Sequence, residues 1–285
     1  MPQIIENPCI SMKLDFEKMV KVVLSASRRT EILRFPDYLV RTLAKRYPPE
    51  KVHTIVLWTK TPQLIFKEPV KSVLKQYNLF VLCTVTGLGG TFLEPNILKP
   101  TEVTLHLQRI INEFLDGNPE KIHVRFDPIL NLLIDGTKLT NLYKFPDVIE
   151  LVAPAEIKTF KVSWATYYEK VKKRLDERGI GIADFDLEDQ ARYLVENAQK
   201  YDIELRGCCV DPELEGMGIK NMGCIDGEEL QKLHPNREPY PEDRATGQRE
   251  LCRCTRSIDI GWYSMICPNG CIYCYANPKE IDARA

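Results

Sequence analysis

The sequence lacks an excess of either charge. Its 285 residues carry 39 Lys+Arg against 40 Asp+Glu, a net charge of −1. That excludes a polyanion-binding surface spread over the whole molecule, though not a local basic patch. Long apolar runs are missing too: none approaches the roughly 18 residues needed to span a bilayer, so no membrane partner is expected. The opening Met1-Pro2-Gln3-Ile4-Ile5-Glu6-Asn7 has neither the basic stretch nor the apolar stretch of a secretory signal, and a cytoplasmic protein is expected. Histidine is scarce, and His53, His106, His123 and His234 show no metal-motif spacing. Internal repeats and low-complexity tracts are absent. Cysteine is rare in the first 207 residues, which hold Cys9 and Cys83 alone.

What is present is a globular composition, 44% hydrophobic and 28% charged, able to bury a large core. Short apolar and β-branched runs recur at Val22 to Ser25, Thr54 to Trp58, Phe80 to Val85, Ile122 to Phe126, Phe160 to Trp164 and Ile203 to Leu205. Near-continuous runs of this length read as strands buried on both faces. Amphipathic segments separate most of them: Pro36 to Tyr47, Pro69 to Tyr77, Glu102 to Leu115, Thr166 to Arg178 and Leu187 to Tyr201. Strand followed by helix, repeated, predicts an α/β fold with a parallel sheet. A complete or partial (β/α) TIM-like barrel over residues 1–210 is the expected form, with an open doubly wound sheet as the runner-up. Residues 211–285 are expected to form a cysteine-rich segment packing on the barrel mouth.

A barrel places its chemistry just after the strands. Those positions hold Ser27-Arg28-Arg29-Thr30, Thr59-Lys60-Thr61-Pro62, Thr84 and Thr86 before Gly87-Leu88-Gly89-Gly90, Glu94-Pro95-Asn96, Arg125-Phe126-Asp127-Pro128, Ser163-Trp164 and Arg206-Gly207-Cys208-Cys209. Basic groups recur at Arg28, Arg29, Lys60, Arg125 and Arg206, which suits an anionic or carboxylate-bearing small molecule. Arg28, Arg29, Lys60, Arg125 and Asp127 are the candidate catalytic or substrate-binding residues. Taken singly, an Arg-x-Asp pair such as Arg125 and Asp127 is more often a structural ion pair. The case rests on the strands agreeing.

Eight of the ten cysteines fall between Cys208 and Cys274. In a reducing compartment such clusters bind metal or do redox chemistry more often than they form disulfides. Cys267-Pro268-Asn269-Gly270-Cys271-Ile272-Tyr273-Cys274 has the spacing C-x3-C-x2-C. Three thiolates on one tight loop suit three irons of a [4Fe–4S] cluster and leave the fourth iron open to chelate S-adenosylmethionine. A closed cluster and a zinc knuckle are the blander readings, but zinc sites usually pair two C-x2-4-C units. Cys208, Cys224, Cys252 and Cys254 are candidate ligands of a second [4Fe–4S] cluster, with Cys209 spare; a structural zinc is the alternative. Cys9 and Cys83 are expected to bind no metal.

The triplet, with Tyr273 before its last cysteine, resembles the cluster motif of radical S-adenosylmethionine enzymes. The stretch Gly270 to Ala276 is most like spore photoproduct lyase-like members. That resemblance implies reductive cleavage of S-adenosylmethionine to a 5′-deoxyadenosyl radical, and an electron donor such as flavodoxin or ferredoxin. It makes Tyr273, Thr86 and Glu94 the candidate cofactor contacts; Gly89-Gly90 followed by Glu94 is a loose echo of the family's Gly-Gly-Glu element. Such enzymes carry the motif near the N-terminus, so circular permutation is expected here, with Ser257 to Trp262 as the first strand of the barrel. A wider resemblance, to the prokaryotic DUF1848 family, rests on several blocks. They are Ser27 to Thr30, Trp58 to Pro62, Glu94 to Asn96, Arg125 to Pro128, Cys224 to Asp226, Cys252-x-Cys254 and Ser257 to Gly261. Two other readings stand beside the enzyme: a non-catalytic iron–sulfur or electron-transfer protein, and a nucleic-acid repair enzyme. Tyr263, Tyr275 and Cys209 are candidate radical relay positions.

Overall fold

The computed structural model describes residues 20–244 and 247–280; Cys9 lies outside them. The strands are β1 (Val22–Ala26), β2 (Val52–Thr59), β3 (Leu79–Thr84), β4 (Ile122–Ile129), β5 (Asn131–Ile134), β6 (Thr137–Thr140), β7 (Thr159–Trp164), β8 (Ile180–Ile182), β9 (Glu204–Gly207), β10 (Lys220–Asn221) and β11 (Ile258–Asp259). The helices are α1 (Pro36–Arg46), α2 (Val70–Leu74), α3 (Pro100–Thr104), α4 (Leu107–Phe114), α5 (Phe145–Val152), α6 (Glu169–Asp176), α7 (Leu187–Lys200), α8 (Pro212–Gly216) and α9 (Gly227–Leu233). Local chemistry sets several of these bounds. Pro36 opens α1 and Lys45 and Arg46 close it, the polarity that a helix dipole favours. The Asp186 side chain caps α7 by accepting the Asp189 N–H.

Eight strands form one parallel sheet in the order β10-β9-β7-β4-β3-β2-β1-β11. All eight residues of β2 are buried, as expected of a strand covered on both faces. Alternate residues point to opposite faces. Leu24, Ile55, Leu57, Val81, Val124 and Phe126 share one core with Leu39 and Leu43 of α1, Leu74 of α2, Ile110 of α4, Val148 of α5 and Leu194 of α7. Val23, Val56, Trp58, Phe80 and Leu82 face the other way, against Leu230 of α9 and Ile225 just before it. A third core joins Leu88, Leu93 and Ile97 to Leu130 and Leu132 of the β5 region, Val171 and Leu175 of α6, and Cys271, Ile272 and Tyr273. Strands β6, β5 and β8 form a separate antiparallel sheet.

The α/β class with a parallel sheet is as expected; the closed TIM-like barrel is not. Among the described residues, β10 and β11 are edge strands without backbone pairing to each other. The sheet is open, as in the runner-up, but it is not doubly wound: such a sheet reverses its strand order, whereas here β1, β2, β3, β4, β7, β9 and β10 follow one another in sequence. The last strand, β11, lies parallel beside β1, with Leu24 opposite Ile258 and Ser25 opposite Asp259. Residues 211–285 therefore do more than cover the mouth: they supply β10 and β11 to the sheet and α9 to its inner face. No helix among the described residues is long and apolar enough to cross a membrane.

The inner face carries a buried polar network where α9 meets the sheet. His123 of β4 stacks edge-on against Phe80 at 4.8 Å, and its Nε2 lies 3.4 Å from the Glu229 carboxylate. Glu229 also pairs with Arg206 at 2.6 Å. Burial holds the His123 pKa down, from 6.5 to about 4. Between those values the unfolded chain binds a proton that the folded chain does not, so stability falls as pH drops through the window. Burial shifts His53, His106 and His234 the same way. At about 1.4 kcal/mol per pKa unit the His123 share is about 3 kcal/mol. Urea unfolding at pH 7 and pH 4.5 is expected to show that loss, and His123→Gln to flatten the profile; an unchanged slope in the variant would remove His123 as the cause.

Candidate functional site

The C-terminal ends of β1 to β4 and the loop from Ser257 to Asn277 meet at one place, and Asp259 joins them. Its carboxylate accepts hydrogen bonds from the Ser25 hydroxyl (3.1 Å), the Ser27 hydroxyl (2.5 Å), the Arg28 N–H (3.1 Å) and the Gly261 N–H (3.0 Å). Gly261 lies so close to Ser27 that a Cβ there would fall 2.1 Å from the Ser27 Oγ.

From this anchor the chain reaches Cys267, Cys271 and Cys274. The loop closes on itself: Cys267 N–H donates to Asn277 O at 2.7 Å and Lys279 N–H to Cys267 O at 2.8 Å. Gly270 takes a left-handed φ of 66° in the turn, the conformation glycine adopts without penalty. Side chains from three separate segments moor the loop, two of those side chains from α6. Arg34 Nε donates to Asn269 Oδ1 at 3.1 Å, and Asn96 Nδ2 to Pro268 O at 2.8 Å. Arg174 reaches Ile272 O and Cys274 O at 3.0 and 2.8 Å, and Lys170 reaches Ala276 O at 3.2 Å.

The three thiols are mostly buried and feel one another's charge. Burial raises all three pKa values, that of Cys271 most. Backbone N–H groups of Asn269 and Glu31 oppose the rise at Cys267, and Lys60 opposes it at Cys271. At Cys274 the Ala276 N–H, then Lys60, Arg174 and Lys170, work the same way.

Beside the loop lies a buried polar triad. Lys60 Nζ is 2.5 Å from Glu94 Oε1 and 2.7 Å from the Tyr273 hydroxyl, which itself donates to Glu94. Burial works against the Lys60 ammonium, but Glu94 and Cys271 outweigh it and raise its pKa. Burial, then Glu94, lifts the Tyr273 pKa well above its usual value, so the phenol stays a donor. Glu31 sits beneath: it accepts the Lys60 N–H at 2.7 Å, its other oxygen has no partner, and burial raises its pKa.

The remaining strand-end residues form an aromatic and cationic platform. Arg125 and Arg28 both lie over the Trp58 ring, at 4.7 and 5.7 Å. Arg125 pairs with Asp127 and donates to Thr84 Oγ1 at 3.1 Å, while Ser163 donates to Asp127 at 2.8 Å. Buried Arg125 Nε and Trp58 Nε1 have no partner. Arg29 stacks on Tyr263 at 5.1 Å, and Tyr275 donates to Arg28 O at 3.0 Å. The fold thus brings Arg28, Arg29, Lys60, Glu94, Arg125, Asp127, Tyr263, Tyr273 and Tyr275 to the end of the sheet that carries the cysteine triplet. Two residues stand apart. Thr86 is buried and its hydroxyl accepts the Leu88 N–H at 3.2 Å, a turn-forming task. Arg206 pairs with Glu204 and Glu229 rather than joining the platform.

A second group of thiols gathers where β9 and β10 end. Cys208 lies within 4.8 Å of Cys209 and Cys252, and within the same distance of Cys224 and Cys254. Burial opposes the charge on Arg249, yet the sulfurs of Cys209, Cys208, Cys252 and Cys224 facing it raise its pKa. Cys83 is fully buried within β3, and burial pushes its thiol up.

Residues 36–276 match the family model of a domain of unknown function, DUF1848. The chain belongs to that family. The segments of this DUF1848 chain that resembled the family in sequence touch one another in space: Ser27 and Arg28 meet Asp259, Lys60 meets Glu94, and Asn96 meets the cysteine loop. No curated protein matches the chain. Among solved structures it is similar to the carboxyl transferase domain of Rhizobium etli pyruvate carboxylase with 3-bromopyruvate, at 10% identity and a TM-score of 0.27. That alignment covers 67% of this chain and 36% of the other, and at such a score it carries no argument.

Sequence reasoning passed over Glu31, Arg34, Trp58 as a platform, Lys170, Arg174 and the joining role of Asp259. Only Glu31 and Asp259 carried a signal, being acidic residues beside or within segments already marked.

The triad gives a direct test. Removing one member of a buried ion pair leaves an uncompensated charge and costs about 3 kcal/mol or more. Lys60→Met is expected to lose about that much stability in urea unfolding, and the double change Lys60→Met/Glu94→Gln to lose less than the single. Additive losses would mean that the two side chains are not coupled.

Proposed function

We propose that this DUF1848 protein is an iron–sulfur enzyme of the radical S-adenosylmethionine type. Cys267, Cys271 and Cys274 would hold a [4Fe–4S] cluster, and the platform of Arg28, Arg125 and Trp58 would take an anionic substrate. The observation that carries this reading is the place of the loop: three buried thiols lie over the strand ends that present Lys60, Glu94, Arg28 and Arg125.

The donor set fits the group. Backbone N–H groups of Asn269, Glu31 and Ala276 aim at the Cys267 and Cys274 sulfurs, and hydrogen bonds to ligand sulfurs tune such clusters. Lys60, Arg174 and Lys170 supply positive charge around the thiolates. When bound and reduced, the cluster supplies one electron that cleaves S-adenosylmethionine to methionine and a 5′-deoxyadenosyl radical. The chain's own residues do the rest. Lys60 and Glu94 orient the Tyr273 phenol. Arg125 Nε and Trp58 Nε1, buried and without partners, are donors for an anionic or carbonyl-bearing ligand. Two guanidinium groups, those of Arg28 and Arg125, lie over the Trp58 ring and would compensate negative charge on the ligand. Flavodoxin or ferredoxin would be the electron donor.

The same reading makes the sheet a circularly permuted, partial barrel of the radical S-adenosylmethionine type. The sequential strand order and the pairing of β11 with β1 support it.

Anaerobic reconstitution tests the proposal. Wild type is expected to bind about four more irons per chain than Cys271→Ala. After reduction it should release 5′-deoxyadenosine from S-adenosylmethionine, and Cys271→Ala should release none. Intact S-adenosylmethionine with an unchanged EPR spectrum would overturn the assignment and leave the triplet a closed or electron-transfer centre.

A further inference from the structure

Apart from Cys83 inside β3, five described thiols lie outside the triplet loop, and the fold brings them together from three places. Cys208 and Cys209 follow β9, Cys224 follows β10, and Cys252 and Cys254 precede β11. Cys208 Sγ is 3.7 Å from Cys209 Sγ and 3.8 Å from Cys252 Sγ. Two triangles share it, Cys208–Cys209–Cys252 and Cys208–Cys224–Cys254, each with its sulfurs within 4.8 Å of one another. Tetrahedral coordination with metal–sulfur bonds of about 2.3 Å sets neighbouring sulfurs about 3.8 Å apart. A four-iron cube carries each thiolate on a different iron and spreads them wider. Within the triangle Cys208–Cys224–Cys254 the spacing is that of ligands to one ion; Cys252 is close to Cys208 but belongs to the other triangle.

The position of these thiols matters as much as their spacing. The main sheet is open between β10 and β11, and the chain just after β10 runs beside the chain just before β11. Thr255 N–H donates to Ile225 O at 2.9 Å, Cys224 N–H points at Cys254 Sγ at 3.1 Å, and Asn221 Nδ2 reaches Leu251 O at 3.4 Å. Gly223 is pressed against this segment, so that a Cβ there would meet Arg253 O at 2.7 Å.

We infer that Cys208, Cys224 and Cys254 hold one tetrahedral divalent ion, zinc or ferrous iron, with Cys252, 3.8 Å from Cys208 Sγ, closing on it as the fourth ligand, and that this ion joins the two open edges of the sheet. Cys208 belongs to both triangles, and Cys252 and Cys254 are the most buried of the five. Cys209, adjacent to Cys208 in the chain, is left without a ligand role. The ion does with four bonds what strand pairing does elsewhere in the sheet, and it fixes the segment that leads to Asp259. Thiolate-held structural ions contribute folding free energy directly.

Metal analysis on the full chain tests this separately from the catalytic reading, because the key variant lacks the triplet. With Cys267, Cys271 and Cys274 all changed to Ala, the protein is expected to keep about one zinc or iron per chain and no acid-labile sulfide. Which metal is found tells zinc from ferrous iron. Cobalt(II) loaded in its place should give the sulfur-to-metal charge-transfer and visible bands of a tetrahedral thiolate site. Cys254→Ser in that background should lose the ion and Cys209→Ala keep it. About four irons with matching sulfide would overturn the proposal in favour of a cube, and no bound metal with no cobalt spectrum would remove the site. Equal losses from Cys209→Ala and Cys254→Ser would refute the ligand set. Hydrogen exchange tests the join in the wild type: removal of the ion should speed exchange in 221–225 and 251–255 about tenfold or more, and unchanged rates would refute it.

Discussion

A two-residue strand is a weak hold, and β11 is one. It meets β1 through two register pairs, yet the whole C-terminal loop hangs from it. The Asp259 carboxylate makes up the difference by accepting hydrogen bonds from Ser25, Ser27, Arg28 and Gly261. Hydrogen bonds to a charged group contribute about 1.5–3 kcal/mol each against about 1 for a neutral pair, so this carboxylate outweighs the short ladder. The direction of Arg28, the approach of Gly261 and the path of the chain toward Cys267 all follow from it.

The inner face of the sheet divides along the strands. Near their starts it is filled by α9, whose Leu230 packs on Val23 and Val56, and its charges are matched: Glu229 with His123 and Arg206, and Lys161 with the Gly223 carbonyl at 2.9 Å. Near the strand ends the matching is incomplete. Arg125 and Trp58 keep buried donors without partners, and Glu31 keeps a buried oxygen. Buried polar groups are satisfied almost everywhere in folded proteins; the α9 end leaves one such atom, His123 Nδ1, whereas the strand ends gather Thr30 Oγ1, Glu31 Oε1, Trp58 Nε1, Thr61 Oγ1 and Arg125 Nε.

The central strands were legible because burial on both faces leaves a long apolar run, as in Val52–Thr59. β10 was not, since two residues carry no pattern; β11 was reached only through the family resemblance, which made Ser257 to Trp262 a strand, and the open edge between the two was not legible. The β5–β6 hairpin had a readable signal in Asp135-Gly136, where both residues take positive φ, at 49° and 75°, as a tight hairpin turn requires. Helix α5 was hidden behind Phe145-Pro146, which reads as a break until Pro146 is placed in a first turn. The cysteine triplet announced itself by spacing. Its moorings did not: Arg34 reaches the Asn269 amide, and Lys170 and Arg174 of α6 reach backbone carbonyls of the loop, and such pairings exist only once the chain has folded.

Ser27 and Asp259 are 232 positions apart. Contacts that distant form late, because loop closure must precede any gain from them. Until Asp259 arrives, β1 has an unpaired edge, and the thiols of Cys267, Cys271 and Cys274 have no Lys60, Arg174 or Lys170 to offset their charge. Order of assembly thus sets the surroundings of the triplet: its three thiols are neighbours in the chain from the start, but the walls that shield them and the cations that offset their charge come only with the closed fold.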